Sequence, residues 1–234
     1  MTSDSSQSEE VCGLLVVDKP IGWSSMDVVR RVRRAAGRAK TGHAGTLDPL
    51  ATGVVICCLG RATRCVVRLM DLTKVYETRV DLSAFTTTDD REGERDVVDV
   101  AQPPSEAQVR EAVGRFVGHI EQRPPAFSAV HIGGRRAYKL ARRGEVVDMP
   151  VRTVRVDAIE VLAYAWPELS LRITCGKGTY IRSIARDLGQ TLGTGGHLSA
   201  LRRTAVGSYG LSLAVDAARL EQPIGADDLL PMPQ

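Results

Sequence analysis

The chain opens on a polar stretch, "MTSDSSQSEE", and turns apolar at once over "GLLVVDKPIGWSS". An apolar run that ends in Asp-Lys-Pro and a glycine turn predicts a strand and its exit. Ser24 or Ser25 then offers an N-cap, so a helix is expected to carry Val28, Val29 and Val32 inward, turn its arginines outward and stop at Gly37. "TGVVICCLGRATR" reads as a short buried strand and a turn, "VVRLMDL" as a short helix. "KVYETRVDLSA" alternates and places Tyr76, Thr78 and Val80 on one side of a strand. Residues 86–96, "TTTDDREGERD", carry no apolar period and read as a polar loop. "PSEAQVREAVGRFVG" has a Ser cap and helical spacing through Val109, Val113 and Phe116 or Val117, with Gly118 closing it. The segment from about 122 to 150 has a Pro-Pro pair, a Gly-Gly turn and a basic helical stretch, and is expected to protrude as a hairpin-and-helix insertion. Strands follow at "RTVRVDAIEVLAYAW" and "ELSLRITCGKG", a helix over Thr179–Leu188 and a last strand near "SALRRTAVGSY". Helices interspersed irregularly among hairpin-like strands predict an α+β fold: a mixed, largely antiparallel sheet with flanking helices.

Composition narrows the class. At 234 residues the chain can bury a sizeable core, and 43% hydrophobic with 25% charged residues is ordinary for a soluble domain. Residues 1–11 have the composition of a disordered tail, leaving 12–234 for the folded domain. No run reaches the roughly 18 apolar residues of a membrane span, and the start lacks the basic-then-apolar order of a signal peptide, so a cytoplasmic address is expected. Five cysteines without paired spacing and four scattered histidines suggest neither a disulfide frame nor a metal site. The net charge is only +3, but arginine gathers in "RRVRRAAGRAK", in "GGRRAYKLARRG" and at Arg202 with Arg203. Such patches suit an anionic partner, although any one of them also fits a solvated face.

Chemistry concentrates around "GHAGTLDPLATG", where Asp48 is a lone carboxylate among Gly45, Thr46 and Pro49. A carboxylate in so rigid a turn loses little entropy when a substrate arrives. By itself, an Asp before Pro more often just turns the chain. "GKGTYIRSIARDLG" supplies Tyr180 and Arg182 at the opening of a helix, where a partly buried guanidinium needs a carboxylate: Asp48, or else Asp187 or Glu160. Tyr76, on a strand among charged residues, is a candidate stacking platform exposed at a cleft, against the commoner fate of core packing. His43, flanked by Gly42 and Ala44, has room to insert or stack, and equally to sit in solvent.

Read together, "LLVVDKPIGWSS", "GHAGTLDPLATGVVICCLGRATR", "KVYE", "QRPPAFSAVHIGGRRAYKLARRG", "CGKGTYIRSIARDLG" and "GGHLSALRRTAVG" follow one another in an order that resembles the TruB family of tRNA pseudouridine synthases. The resemblance runs from about Gly13 to about Tyr209. It implies isomerisation of the T-loop uridine at position 55 of tRNA, by base flipping and an aspartate nucleophile, without metal, nucleotide or other cofactor. On the matching positions Asp48 is the nucleophile. His43 enters the RNA loop where the flipped base stood, Tyr76 stacks on the uracil, Arg182 pairs with the aspartate, and Tyr180 and Leu201 line the base pocket. The insertion becomes a thumb over the RNA stem-loop, with Arg135, Arg136, Arg142 and Arg143 as phosphate contacts; Arg64 and Arg202 are further RNA contacts. The implied partner is the T-arm stem-loop of tRNA, bound by a monomer with no obligate protein partner.

Some positions depart from the family pattern. Arg64 and His131 stand where relatives commonly carry lysine, and Phe127 stands where a tyrosine is usual. Family members usually continue into a small β-rich domain of PUA type, which is expected to be absent from a chain stopping at "DDLLPMPQ". Two other readings remain open: a same-family synthase acting on rRNA or another T-loop-like RNA, and an RNA-folding chaperone without catalysis. A carboxylate-pair glycosidase would need a second acid near the first, and none is placed there.

Overall fold

The computed structural model describes residues 11–128 and 130–233, so all but the last residue of the expected N-terminal tail, and Ala129 of the insertion, lie outside the described residues. Two compact units emerge: residues 1–72 with 203–234, and residues 73–202.

The first unit begins with β1 (Gly13–Lys19) and α1 (Ser25–Ala35). Ser24 caps the helix: its hydroxyl accepts from the Asp27 amide, and the Asp27 carboxylate accepts from the Ser24 amide. Val28, Val29 and Val32 are buried and Arg30, Arg33 and Arg34 exposed, as the spacing predicts. Two strands follow, β2 (Thr41–His43) and β3 (Thr52–Leu59); both are antiparallel neighbours in this unit, β3 pairing with β1 from Gly53 opposite Lys19 to Leu59 opposite Gly13. After a 3-10 segment, Gly60–Cys65, comes α2 (Val66–Asp71). β3 is buried almost throughout because it is covered on both faces. One of its faces contributes Val54, Ile56 and Cys58 to a core with Leu14, Val16, Ala44, Leu69 and Val206. Burial pushes the thiols of Cys57 and Cys58 up, which keeps these free cysteines protonated.

The second unit starts with β4 (Lys74–Asp81), which does place Tyr76, Thr78 and Val80 on one buried side. The expected polar loop is in part a hairpin: β5 (Ala84–Thr86) pairs with β6 (Arg95–Val97), and only the connection between them is irregular. The capping box of Ser105 and Gln108 starts α3 (Glu106–Gly114). The helix stops at Gly114, short of Phe116 and Val117, and Arg115 and Phe116 continue as a tighter turn whose amides donate to Ala112 and Val113. β7 (Gly118–Gln122) leads into the insertion, which forms the expected hairpin and helix: β8 (His131–Ile132), β9 (Arg135–Arg136) and α4 (Ala137–Ala141). Its turn needs glycine at both centres, Gly133 at φ 54 and Gly134 at φ 79. Then come β10 (Arg152–Ala165), β11 (Glu168–Cys175), α5 (Ile181–Leu192) and β12 (His197–Val206). The strand order is β4, β11, β10, β7, each neighbouring pair antiparallel.

The unit boundary falls within β12, at Arg202 and Arg203. The chain then returns to the first unit through β13 (Tyr209–Gly210) and its last turns. There Leu230 exchanges two backbone hydrogen bonds with Leu14, and Val215 bridges Val16 and Asp18, which covers the outer edge of β1. Single parallel bridges also occur, as between Val17 and Val215. The expected mixed, largely antiparallel sheet with flanking helices is therefore borne out. Among the described residues no helix is long and apolar enough to cross a membrane.

Candidate functional site

In the first unit, the turn carrying Asp48 is pinned at successive backbone groups. The Ser25 hydroxyl accepts from the Leu47 amide at 2.8 Å and donates to the Leu47 carbonyl at 3.2 Å. The Asp48 carbonyl accepts from Ala51, and the Pro49 carbonyl accepts from Gly22 at 2.8 Å. Two cations complete the frame, and both are almost wholly buried: Lys19 at 0% and Arg203 at 1% exposure. Lys19 Nζ donates to the carbonyls of Pro20, Trp23 and Pro49. Arg203 donates from Nε to Val54 at 2.7 Å and from its two terminal nitrogens to Thr46 at 3.4 Å and Gly45 at 3.2 Å. Gly53 makes room for this: at φ 105 its missing Cβ would lie 2.1 Å from the Arg203 carbonyl oxygen. Asp48 itself is half-buried.

Neither buried cation stands out in the sequence. Lys19 reads there as part of a strand exit, and Arg203 as half of a surface patch with Arg202. Alternation along β12 corrects the second reading: neighbouring strand residues face opposite ways, so Arg203 turns inward while Arg202 stays partly exposed. Burial pushes the Lys19 ammonium down to about 8, against the pull of the Asp48 carboxylate and with a push from Arg203. A base whose folded pKa is lowered is protonated in the unfolded chain but not in the folded one between the two values. Stability should therefore rise between about pH 8 and 10.5. Chemical denaturation across that range should show the rise in the parent protein and a smaller one in Lys19→Met; identical pH slopes would contradict the assignment.

His43 ends β2 and is half-buried. Its Nδ1 is buried without a hydrogen bond, although the Gly45 backbone lies near enough to favour the charged ring. Burial and then Arg203 outweigh that and hold the imidazole below its ordinary pKa. The lowered pKa favours the uncharged ring, a form suited to stacking. Arg64 lies exposed on the 3-10 segment.

In the second unit two of the expected site residues lie at the start of α5. Tyr180 is its N-cap residue, and Arg182 lies in its first turn, 4% exposed. Buried Gln122 holds the Tyr180 backbone twice, accepting from its amide at 2.7 Å and donating to its carbonyl at 3.0 Å. The Arg152 guanidinium lies over the Tyr180 ring, 4.9 Å from its centroid. Arg182 donates to the carbonyls of Thr88 and Phe127 and to the Asp90 carboxylate at 3.3 Å. Of the within-unit alternatives weighed for it, Glu160 pairs with Arg172 and Asp187 with Arg186.

Asp89 and Asp90, inside the polar connection between β5 and β6, are the residues that sequence reasoning missed. Asp90 also accepts from the Thr88 hydroxyl and the Glu92 amide, while Asp89 pairs with Arg186 at 2.7 Å. Burial raises the Asp89 pKa against the opposing charge of Arg186. The available signal was the acidic pair itself, adjacent carboxylates in a segment that meets the two arginines of α5, Arg182 and Arg186.

Tyr76 and Leu201 are each 8% exposed. For Tyr76 this corrects the expectation of an exposed platform: alternation gave its side of β4 correctly but not its depth. Arg135, Arg136, Arg142 and Arg143 all lie exposed on the insertion. Arg135, Arg136 and Arg143 line an open cavity of about 430 Å³ together with His131 and Lys139. Among the described residues no cluster of His, Cys, Asp and Glu could hold a metal ion.

Residues 33–181 match the family model described as TruB family pseudouridylate synthase, N-terminal domain. Residues 182–228 match tRNA pseudouridylate synthase B C-terminal domain, and these run from α5 through the last turns of the first unit. A tRNA pseudouridine synthase B of Corynebacterium efficiens is 48% identical over 213 residues, 89% of this chain and 72% of that protein. One from Thermobifida fusca is 46% identical over 94% of this chain and 77% of that protein. Among solved structures, a chain of a Cbf5-Nop10-Gar1 complex superposes with a TM-score of 0.70 at 30% identity, and covers 89% of this chain. A chain of an H/ACA RNP bound to a substrate RNA containing 2'-deoxyuridine gives 0.67 at 28% identity. This chain spans about half the length of those two, 54% and 52%. Matched over most of its length by the family's own model and by relatives at nearly half identity, the chain belongs to the TruB family of pseudouridylate synthases.

Proposed function

We propose that the protein converts the uridine at position 55 in the T-loop of tRNA to pseudouridine, with Asp48 as nucleophile. The observation that carries this reading is the Asp48 turn: a single carboxylate on a backbone pinned at five consecutive residues, 45 to 49, and framed by two buried cations. Attack by its oxygen at C1' or at C6 of the uracil, or a related route through a glycal, leads to the same net change. The C1'–N1 bond breaks, C1'–C5 forms, the proton leaves C5 and N1 takes one up. Atoms and electrons balance within the uridine, so no oxidant, reductant or nucleotide is needed. A loop uridine must leave its stack to meet Asp48, at about a few kcal/mol. His43 takes the vacated place, and Tyr76, Tyr180, Arg182 and Leu201 hold the extruded nucleotide.

Unmodified tRNA incubated with the protein alone, followed by pseudouridine mapping, tests the reading. Modification at position 55 supports it. Modification only of other RNAs, or only with an added guide RNA, would overturn the target, and none on any RNA would leave the chaperone reading. An isolated T-arm stem-loop is expected to serve as substrate in the same assay.

The exposed thumb arginines make the second expectation. Removing one arginine that neutralises a phosphate should flatten the dependence of log K on log salt by roughly 0.7–0.9. Replacing Arg142 and Arg143 together by alanine should therefore lower the slope by about twice that in a filter-binding titration. An unchanged slope would exclude these thumb arginines from phosphate binding.

A further inference from the structure

Arg203 stands out once the Asp48 turn is described. Among the described residues it is the largest of the fully buried side chains, and its three hydrogen bonds go to carbonyls rather than to a carboxylate. A buried guanidinium is a poor choice for stability alone, since well-packed apolar residues often do as well or better. What it offers is a planar fork that reaches several acceptors at fixed angles. Here the fork ties Val54, on β3, to Gly45 and Thr46, which lead into Asp48 two residues later. The rigid strand is thereby connected to the turn by one side chain. From the other side Lys19 holds Pro49, the residue after Asp48. The turn has no regular secondary structure of its own to fix Gly45 and Thr46, and Gly45, at φ 99, adds no side chain to do so.

We propose that Arg203 is a positioning residue for the reaction, holding the Asp48 turn at a fixed distance and angle from β3. The inference rests on the reading of Asp48 as nucleophile. Arg203 touches neither substrate nor reacting atoms; it acts through the Gly45 and Thr46 carbonyls. Lysine at this position keeps the charge but cannot reach three carbonyls with one nitrogen at the same angles.

The test compares Arg203→Lys with the parent and with Asp48→Asn, using single-turnover rates at saturating enzyme and separate tRNA binding titrations. A folded Arg203→Lys protein is expected to bind tRNA within about twofold of the parent but to react about 10–100-fold more slowly, as a nucleophile displaced by a fraction of an ångström to an ångström would. A parent-like rate would overturn the proposal, and so would a rate loss matched by an equal loss of binding. If Asp48→Asn stays active, the nucleophile reading fails, and that result is distinct from failure of the Arg203 inference. Should Arg203→Lys not fold, NMR of the parent decides. The Arg203 Nε–H signal should be protected from exchange and coupled across the hydrogen bond to the Val54 carbonyl; rapid exchange like that of surface arginines would overturn the proposal.

Discussion

Asp48→Asn should eliminate pseudouridine formation, lowering the rate on the order of 10⁴-fold or more, while tRNA binding stays close to that of the parent. The amide matches the carboxylate in shape but lacks the negative oxygen that attacks carbon, so the loss should fall on the chemical step. The fold should tolerate the change, because the contacts that fix the turn use backbone groups of Gly45, Thr46, Leu47, Asp48 and Pro49. A second consequence separates this variant from a passive one. The Asp48 charge supports the protonated form of Lys19, so its removal should drive the Lys19 ammonium further below about 8. Lysine-selective NMR titration of both proteins would read that directly. Residual pseudouridine above a few per cent of the parent rate in the purified variant would remove Asp48 from the nucleophile's role.

What could be read in advance followed from local rules. The helix after Ser24 was legible because cap, apolar spacing and glycine stop agree over one short stretch. The thumb hairpin was legible because two adjacent glycines with positive φ leave few other structures open. The Asp48 turn was visible as a composition, but its frame was not, since Lys19 and Arg203 come from strands 29 residues before and 155 after it. Nothing in "DKP" or "LRRT" says that a cation will be buried; only tertiary placement converts these surface-looking residues into interior ones. Tyr76 shows the same limit in milder form, for alternation along β4 gives a side and not a depth. The connection from 87 to 94 was least legible of all. Its polar residues have no period, and their roles are set by Arg182 and Arg186, more than 90 residues away.

That connection also carries the largest expected loss of stability. Arg182 and Asp90 form a pair in which both side chains are 5% exposed. Removing one partner of a buried ion pair typically costs about 3–5 kcal/mol, and the Asp89 carboxylate, whose charge also acts on Arg182, places the expected loss at the lower end of that range. Asp90→Ala should therefore lower the unfolding free energy by that amount, read as a lower denaturant midpoint with the slope unchanged. The loss has a local share as well, because the Glu92 amide loses its acceptor, the Thr88 hydroxyl keeps only the Asp90 backbone carbonyl at 3.3 Å, and the connection between β5 and β6 loosens. Arg182 would keep the Thr88 and Phe127 carbonyls and the nearby charge of Asp89, which soften the loss without replacing the Asp90 contact. The double variant Asp90→Leu with Arg182→Met removes both charges at similar volume and should recover most of the stability, although not the activity, since Arg182 is among the residues proposed to hold the nucleotide. If Asp90→Ala costs less than about 1 kcal/mol, the pair is not the buried ionic contact described, and Arg182 must be held in place chiefly by its other contacts.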